Sequence, residues 1–276
     1  MKKLSKGKYL SKVRGALFGS YIGDTMGATT EFMSKEFIEL TYGKLEDIVG
    51  GGWLDIKPGE STDDTQMSLL IMETLMGLND REDFKTKLAD AFVYWYDTKP
   101  KDIGCQTARA IAYYKATGNF LSYEASALGN GSLMRNLPTA LLGKALFCTK
   151  QSTITHNNSV VSEIVIDHCT RVQALLNGER VYKSRVGELL EPTGFIVNTW
   201  TNANYWAAQS SFEECIVGAV NDGGDADTIA CIAGGLSGLV FGFESIPERW
   251  LSKLDPVICE KLDTFANWLV EVKYNA

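Results

Sequence analysis

Arg14-Gly15-Ala16-Leu17-Phe18-Gly19-Ser20-Tyr21-Ile22-Gly23-Asp24-Thr25-Met26-Gly27 carries a glycine at every fourth position. At 3.6 residues per turn, Gly15, Gly19, Gly23 and Gly27 share one face of a helix. Each helical glycine costs roughly 0.5–1 kcal/mol relative to alanine, so a bare face implies the close approach of another backbone. Gly234, Gly235 and Gly238 make a similar face near the other end of the chain. The expectation is two smooth helices crossing tightly near the centre of a bundle.

The rest of the chain agrees with a helical architecture. Apolar residues recur at spacings of three and four over 65–77, 85–96, 106–117, 132–147, 158–177, 212–221, 226–242 and 258–273. Leu69, Met72, Leu75 and Met76 are one such set, and Val161, Ile164, Val165, His168 and Val172 another. The only run that tempts a strand reading is Gly194-Phe195-Ile196-Val197, and it is short. No Ser/Pro-rich linker divides the chain, so residues 1–276 are read as a single all-α domain.

Two acidic loops carry the chemistry. Ser61-Thr62-Asp63-Asp64-Thr65 opens into the apolar segment Met67–Met76, and Asp225-Ala226-Asp227-Thr228 opens into Ile229–Val240. Either loop alone is explained by helix capping, since Asp and Thr accept hydrogen bonds from free N–H groups at a helix start. Two adjacent aspartates followed by a second Asp-x-Asp exceed what capping needs, because mutual repulsion is costly without a counterion. Together the loops read as an oxygen-only cage for hard divalent cations, although they lie about 160 residues apart. Glu31, directly after the glycine-faced helix, is a third oxygen source.

Gly129-Asn130-Gly131-Ser132-Leu133-Met134-Arg135 is a glycine-rich turn feeding a helix, a form that presents N–H groups to phosphate. Arg135 would add charge-assisted bonds to a ligand or pair with an acidic loop. Gly223-Gly224 would bring backbone close to whatever the cations hold. His156 and His168 are the only two histidines, which disfavours imidazole ligation; His156 reads as a polar contact and His168 as a core residue. Asp102, in Lys99-Pro100-Lys101-Asp102-Ile103-Gly104-Cys105, is either a proton-transfer group or the acidic residue of a helix start.

Bulk properties exclude several classes. Net charge is −7 and pI about 5.0, which lacks the footprint of a nucleic-acid binder. The lysine-rich start, Lys2 to Arg14, is interleaved with Leu4, Tyr9, Leu10 and Val13 and reads as a solvated helix face. No apolar stretch reaches the ~18 residues of a membrane span and no signal h-region follows Met1, so a cytoplasmic location is expected. Six scattered cysteines form neither zinc spacing nor a disulfide framework and read as reduced core residues. No self-association stripe is left over, which makes a monomer the default.

In order, Gly23-Asp24-x-x-Gly27-Ala28-x-x-Glu31-Phe32, Ser61-Thr62-Asp63-Asp64-Thr65, Asp102-Ile103-Gly104, Gly129-Asn130-Gly131-Ser132-x-Met134-Arg135, Thr155-His156 and Ala219-Val220-Asn221-x-Gly223-Gly224-Asp225-x-Asp227-Thr228 resemble the ADP-ribosylglycohydrolase family, over about residues 14–245. The resemblance implies a single orthogonal helical bundle with a central dinuclear metal cleft. It implies two Mg²⁺ or Mn²⁺ ions held by Thr62, Asp63, Asp64, Asp225, Asp227 and Thr228. Gly129, Asn130, Gly131, Ser132, Met134 and His156 would contact ADP-ribose, as would the Gly223-Gly224 backbone.

The implied reaction removes ADP-ribose from a modified protein side chain, chiefly arginine, with Asp102 or Glu31 as general acid or base and Asp102 preferred. The partners expected are therefore an ADP-ribosylated protein and ADP-ribose. Two other readings stay open on the residues alone. One is a non-catalytic protein that binds ADP-ribose or a modified partner, the other a metal-dependent nucleotide diphosphohydrolase. The stretch Ser184–Ala208, with Trp200, Tyr205 and Trp206, has no assigned counterpart and is expected to shape the cleft rim or pack in the core.

Overall fold

The structure, a computed structural model, describes residues 4–79, 83–179 and 188–274. Lys2, Lys3 and the start of the Ser184–Ala208 stretch lie outside them. Among the described residues the chain forms thirteen α-helices and no strand of a sheet. The architecture is all-α, as the periodicity indicates.

Helix α1 (Lys6–Gly27) and helix α11 (Ala226–Phe241) form the axis of the molecule. They do not merely cross at one point. A methyl group built on Gly15, Gly19, Gly23 or Gly27 would sit 2.5 Å from Gly238 O, 2.4 Å from Gly234 O, 2.1 Å from Ala230 O or 2.5 Å from Asp227 Cα. Partners descend along α11 as positions ascend along α1, so the two helices run antiparallel with backbones in contact over about four turns. Gly234 and Gly238 answer in kind, facing Gly19 O and Gly15 O. Helix α11 is buried from Ala226 to Leu239 and α1 from Gly15 to Gly27, which suits all-round apolar faces where the two meet.

The remaining helices wrap this pair. Helix α3 (Asp63–Met76) and the C-terminal α13 (Pro256–Tyr274) cover one side of α1. Helix α9 (Ile196–Ala207) and α10 (Phe212–Asp222) pack on α11. The lysine-rich start does begin a helix, but its face is not wholly solvated. Lys12 donates to the carbonyls of Leu239 and, at 3.2 Å, Leu175, and Arg14 makes a forked pair with Asp263 at 2.7 and 3.2 Å.

Two regions depart from the periodic reading. The helix expected over 132–147 is a turn followed by two helices, α6 (Leu137–Leu142) and α7 (Ala145–Thr155). Pro138 starts α6 afresh, and Gly143, at φ +75°, ends it in the left-handed region. The strand-like run at 194–197 contributes one bridge, Phe195 to Gly129, and then enters α9. Helix α9 buries Ile196, Thr199, Asn202, Ala203, Asn204 and Ala207, so its inner face carries polar residues that conceal the helical spacing. Of the cysteines, Cys148, Cys169, Cys215 and Cys231 are buried, whereas Cys105 is exposed.

The glycine axis makes a direct prediction. Gly19→Ala drives a methyl into Gly234 O and the Phe212 ring, and should destabilise by about 3 kcal/mol in urea denaturation. Gly7→Ala, at an exposed position of α1 with nothing within 4 Å, should stabilise by about 0.5–1 kcal/mol. Equal effects at both sites would refute the close-contact account.

Candidate active site

Because Gly27 abuts Asp227, the end of α1 and the start of α11 meet, and the start of α3 is tied to the same place by Asp24. The Asp24 carboxylate accepts from Thr62 N at 3.1 Å, Thr62 Oγ1 at 2.7 Å and Thr65 N at 3.1 Å. Thr62 is the N-cap of α3 and accepts from Asp64 N at 3.3 Å. Capping is thus done by Thr62 and Asp24, and the carboxylates of Asp63 and Asp64 are released from it. At α11, Asp225 is the N-cap residue but its side chain caps nothing. It accepts instead from Asn130 Nδ2, which also reaches Thr199 Oγ1 at 2.9 Å. In the first loop neither aspartate caps; in the second, Asp227 Oδ1 takes the first-turn N–H of Thr228 at 2.7 Å and Asp225 is left free of capping.

The residues converge on a cleft of about 430 Å³. Glu31, Asp63, Asp102, Asp225, Asp227 and Thr228 line it, together with Gly129, Asn130, Gly131, Met134 and His156. One carboxylate oxygen each from Glu31, Asp225 and Asp227 lies within 4.8 Å of the others. Asp63 and Asp102 hydrogen-bond carboxyl to carboxyl, and Asp63 Oδ2 also takes Gly104 N–H at 3.4 Å. Asp64 sits behind this surface, fully buried; Thr228 Oγ1 donates to its Oδ1 at 3.3 Å while Oδ2 has no partner.

Some sequence candidates stand away from the cleft wall. Thr62 faces Asp24. Ser132 is fully buried and bonded to Ser152 at 2.9 Å. Gly223 and Gly224, at φ +75° and +62°, make close backbone approaches to Met33 O and Pro192 O rather than opening onto the cavity. Arg135 also lies off it, with no exposure: it donates to Gln151 Oε1 at 3.0 Å and to Thr155 Oγ1 at 2.6 Å. Asp24 and Trp53 were not singled out from the sequence. The spacing of Asp24 within the glycine helix concealed its reach to α3, and Trp53 follows three glycines with no periodic signal. Its indole N–H donates to Glu31 Oε2 at 2.6 Å.

Arg135 fixes the state of His156. Arginine only donates, so Thr155 Oγ1 accepts from it, and the same hydroxyl lies 2.8 Å from His156 Nδ1, which ties the ring's orientation to the buried guanidinium. The other ring nitrogen, Nε2, lies beside the glycine turn. Burial, and then the Arg135 charge, lower the imidazole pKa to about 3 and keep the ring neutral. Methyl groups on Gly129 or Gly131 would lie 3.3 and 3.1 Å from this ring, which is why small residues stand there. The turn and ring together form an uncharged wall of the cleft, in which Asn130 N–H is bonded to Gly194 O at 3.0 Å.

The electrostatics of the carboxylates are opposite in sense. Burial raises Asp24 and Asp225 to about 6, and burial with the neighbouring Asp102 and Asp225 charges raises Glu31 to about 8. Asp63, Asp64 and Asp227 are pushed well up for the same reasons, burial first. The donor set is all oxygen, one buried carboxylate oxygen is unpartnered, and among the described residues Arg135 is the buried cation nearby. These residues fit a hard divalent cation.

The family profile for ADP-ribosylglycohydrolase matches residues 5–276. The ADP-ribosyl-dinitrogen reductase glycohydrolase of Rhodospirillum rubrum is 35% identical, covering 87% of this chain and 89% of that protein. The ADP-ribosylarginine hydrolase Tri1 of Serratia proteamaculans is 31% identical, covering 89% and 75%. A solved structure described as an ADP-ribosylglycohydrolase-related protein complex superposes with a TM-score of 0.82 at 27% identity, covering 96% of this chain and 99% of the other. The chain belongs to the ADP-ribosylglycohydrolase family.

The raised carboxylates set a pH dependence. Asp24, Asp225 and Glu31 keep protons in the fold that they lose on unfolding, so without divalent cations stability falls as pH rises through this range. In EDTA the melting temperature should decline between about pH 5 and pH 8. Excess Mg²⁺ should raise it, and by more at pH 8, where fewer protons compete. A flat profile in differential scanning calorimetry would contradict the cluster.

Proposed function

We propose that this chain is a metal-dependent hydrolase that cleaves the glycosidic bond joining ADP-ribose to a modified protein side chain, with the arginine guanidinium as the leaving group. Family membership supports hydrolysis of ADP-ribosyl linkages, and the likeness to an ADP-ribosylarginine hydrolase supports arginine. The observation that carries the proposal is the division of labour at the two helix starts. Thr62 and Asp24 cap α3, which frees Asp63 and Asp64 to join Asp225 and Asp227 in a buried oxygen cluster beside the glycine turn.

Asp63, Asp64, Asp225, Asp227, Thr228 and Glu31 are the residues that would hold two Mg²⁺ or Mn²⁺ ions, with Thr62 orienting the first loop. Bound there, such ions supply Lewis acidity and a template for ribose hydroxyls. The turn at Gly129–Gly131 and the neutral ring of His156 would hold the diphosphate and ribose. Glu31 is committed to Trp53 and to the Asp225–Asp227 group, so Asp102 is assigned the proton transfer. It takes a proton from water as oxygen attacks the anomeric carbon, the C–N bond breaks, and the proton passes to the departing guanidine nitrogen. Carboxylates around the anomeric carbon stabilise its developing positive charge.

The test uses an arginine-ADP-ribosylated protein with Mg²⁺, with EDTA and with variants, and follows released ADP-ribose by mass spectrometry. Release should need Mg²⁺ or Mn²⁺, vanish in Asp225→Ala and fall ~100-fold or more in Asp102→Asn. AMP as the product would favour a diphosphohydrolase. Tight binding of ADP-ribose without any release would favour a binding protein.

A further inference from the structure

The cleft rim holds two aromatic residues that neither cation binding nor phosphate binding requires. Phe32 and Trp53 line the cavity and are 68% and 53% exposed, with ring centroids 5.4 Å apart. Phe32 lies at φ +61°, a conformation that a bulky side chain avoids. It is held there by backbone bonds to the second acidic loop: Phe32 N to Gly224 O at 2.7 Å and Gly224 N to Met33 O at 2.9 Å. Trp53 is fixed as firmly. The turn before it packs so closely that a methyl on Gly52 would lie 2.2 Å from Ala28 O, and its indole N–H is bonded to Glu31.

A ring that is 68% exposed gains little burial to offset a strained backbone in the isolated fold. Strain of this kind persists where a ligand makes use of it. The same cavity presents Asp102, a carboxylate outside the proposed cation set. Aromatic faces sharing a cavity with such a carboxylate suit a planar delocalised cation, which stacks on rings and is weakly hydrated. They are the wrong surroundings for a diphosphate, which is assigned to the Gly129–Gly131 turn.

Resting on the proposed hydrolase reading, we infer that Phe32 and Trp53 form the subsite for the guanidinium side of the scissile bond and set the enzyme's preference for arginine-linked over hydroxyl-linked ADP-ribose. A serine ether oxygen carries no charge and gains nothing from the aromatic faces. Trp53 also positions Glu31, so its ring and its N–H are separable by substitution.

The experiment measures steady-state release of ADP-ribose from arginine-linked and serine-linked peptides by wild type, Phe32→Gly, Trp53→Leu and Trp53→Phe, with free ADP-ribose as a competitive inhibitor. Phe32→Gly relieves the backbone strain, so its melting temperature should equal or exceed that of wild type, which keeps the result interpretable. For the arginine-linked peptide, Phe32→Gly and Trp53→Leu should raise KM about five- to tenfold. Trp53→Phe should leave KM nearer wild type, and the Ki of ADP-ribose should be unchanged throughout. Agmatine, an isolated guanidinium, should inhibit wild type and lose most of its effect on Phe32→Gly. Unchanged KM and agmatine inhibition in folded variants would overturn the inference, as would a rise confined to the Ki of ADP-ribose. Failure of wild type to cleave either peptide would instead count against the hydrolase reading.

Discussion

Everything in this molecule is arranged around one backbone-to-backbone contact. Helices α1 and α11 touch along faces from which side chains are missing, and at Gly23 the separation available to a methyl group is only 2.1 Å. Interiors are packed too tightly to yield at such a contact, so it fixes the relative height and rotation of the two helices. The consequence is at their ends. The last turn of α1 carries Asp24 and leads to Glu31, and the first turn of α11 carries Asp227 and Thr228. A contact that leaves no room for slippage thereby sets the positions of oxygens that come from opposite ends of the sequence.

Around that axis the structure separates two electrostatic tasks. One wall is acidic, with carboxylates that burial drives toward their protonated forms unless a cation is present. The other is neutral, because Arg135 is kept inside the protein and directs its charge to Gln151 and Thr155. An arginine reaching into the cleft would compete for the same carboxylates that suit a divalent ion. Held back, it orients His156 through one hydroxyl. Asn130 links the two walls by reaching Asp225 and Thr199 from the glycine turn.

Much of this was legible in the sequence. The four-residue glycine spacing gave the central pair, since only a close helix contact compensates for so many helical glycines. Adjacent aspartates at two helix starts gave the acidic wall, because repulsion demands a counterion. What could not be read was whatever depends on tertiary reach. Asp24 looks like one more polar residue in a buried helix until α3 is laid beside it. Arg135 looks like a ligand-binding cation because nothing local shows that its side chain turns inward. Pro138 and Gly143 were visible punctuation, but continuous apolar periodicity over 132–147 outweighed them. The rim pair is illegible for another reason. Phe32 and Trp53 follow no periodicity, and their meeting depends on the fold of three consecutive glycines, Gly50 to Gly52, at positive φ.

On the proposed reading, loops about 160 residues apart form one oxygen-only cation site. Crystals grown with Mn²⁺ and measured at the manganese absorption edge should then show two anomalous peaks in the cleft, each ligated only by oxygen. Across the pair, ligands should come from both Asp63-Asp64 and Asp225-Asp227, with Asp64 Oδ2 engaged. Peaks confined to one loop, or none at saturating Mn²⁺ in well-diffracting crystals, would contradict it.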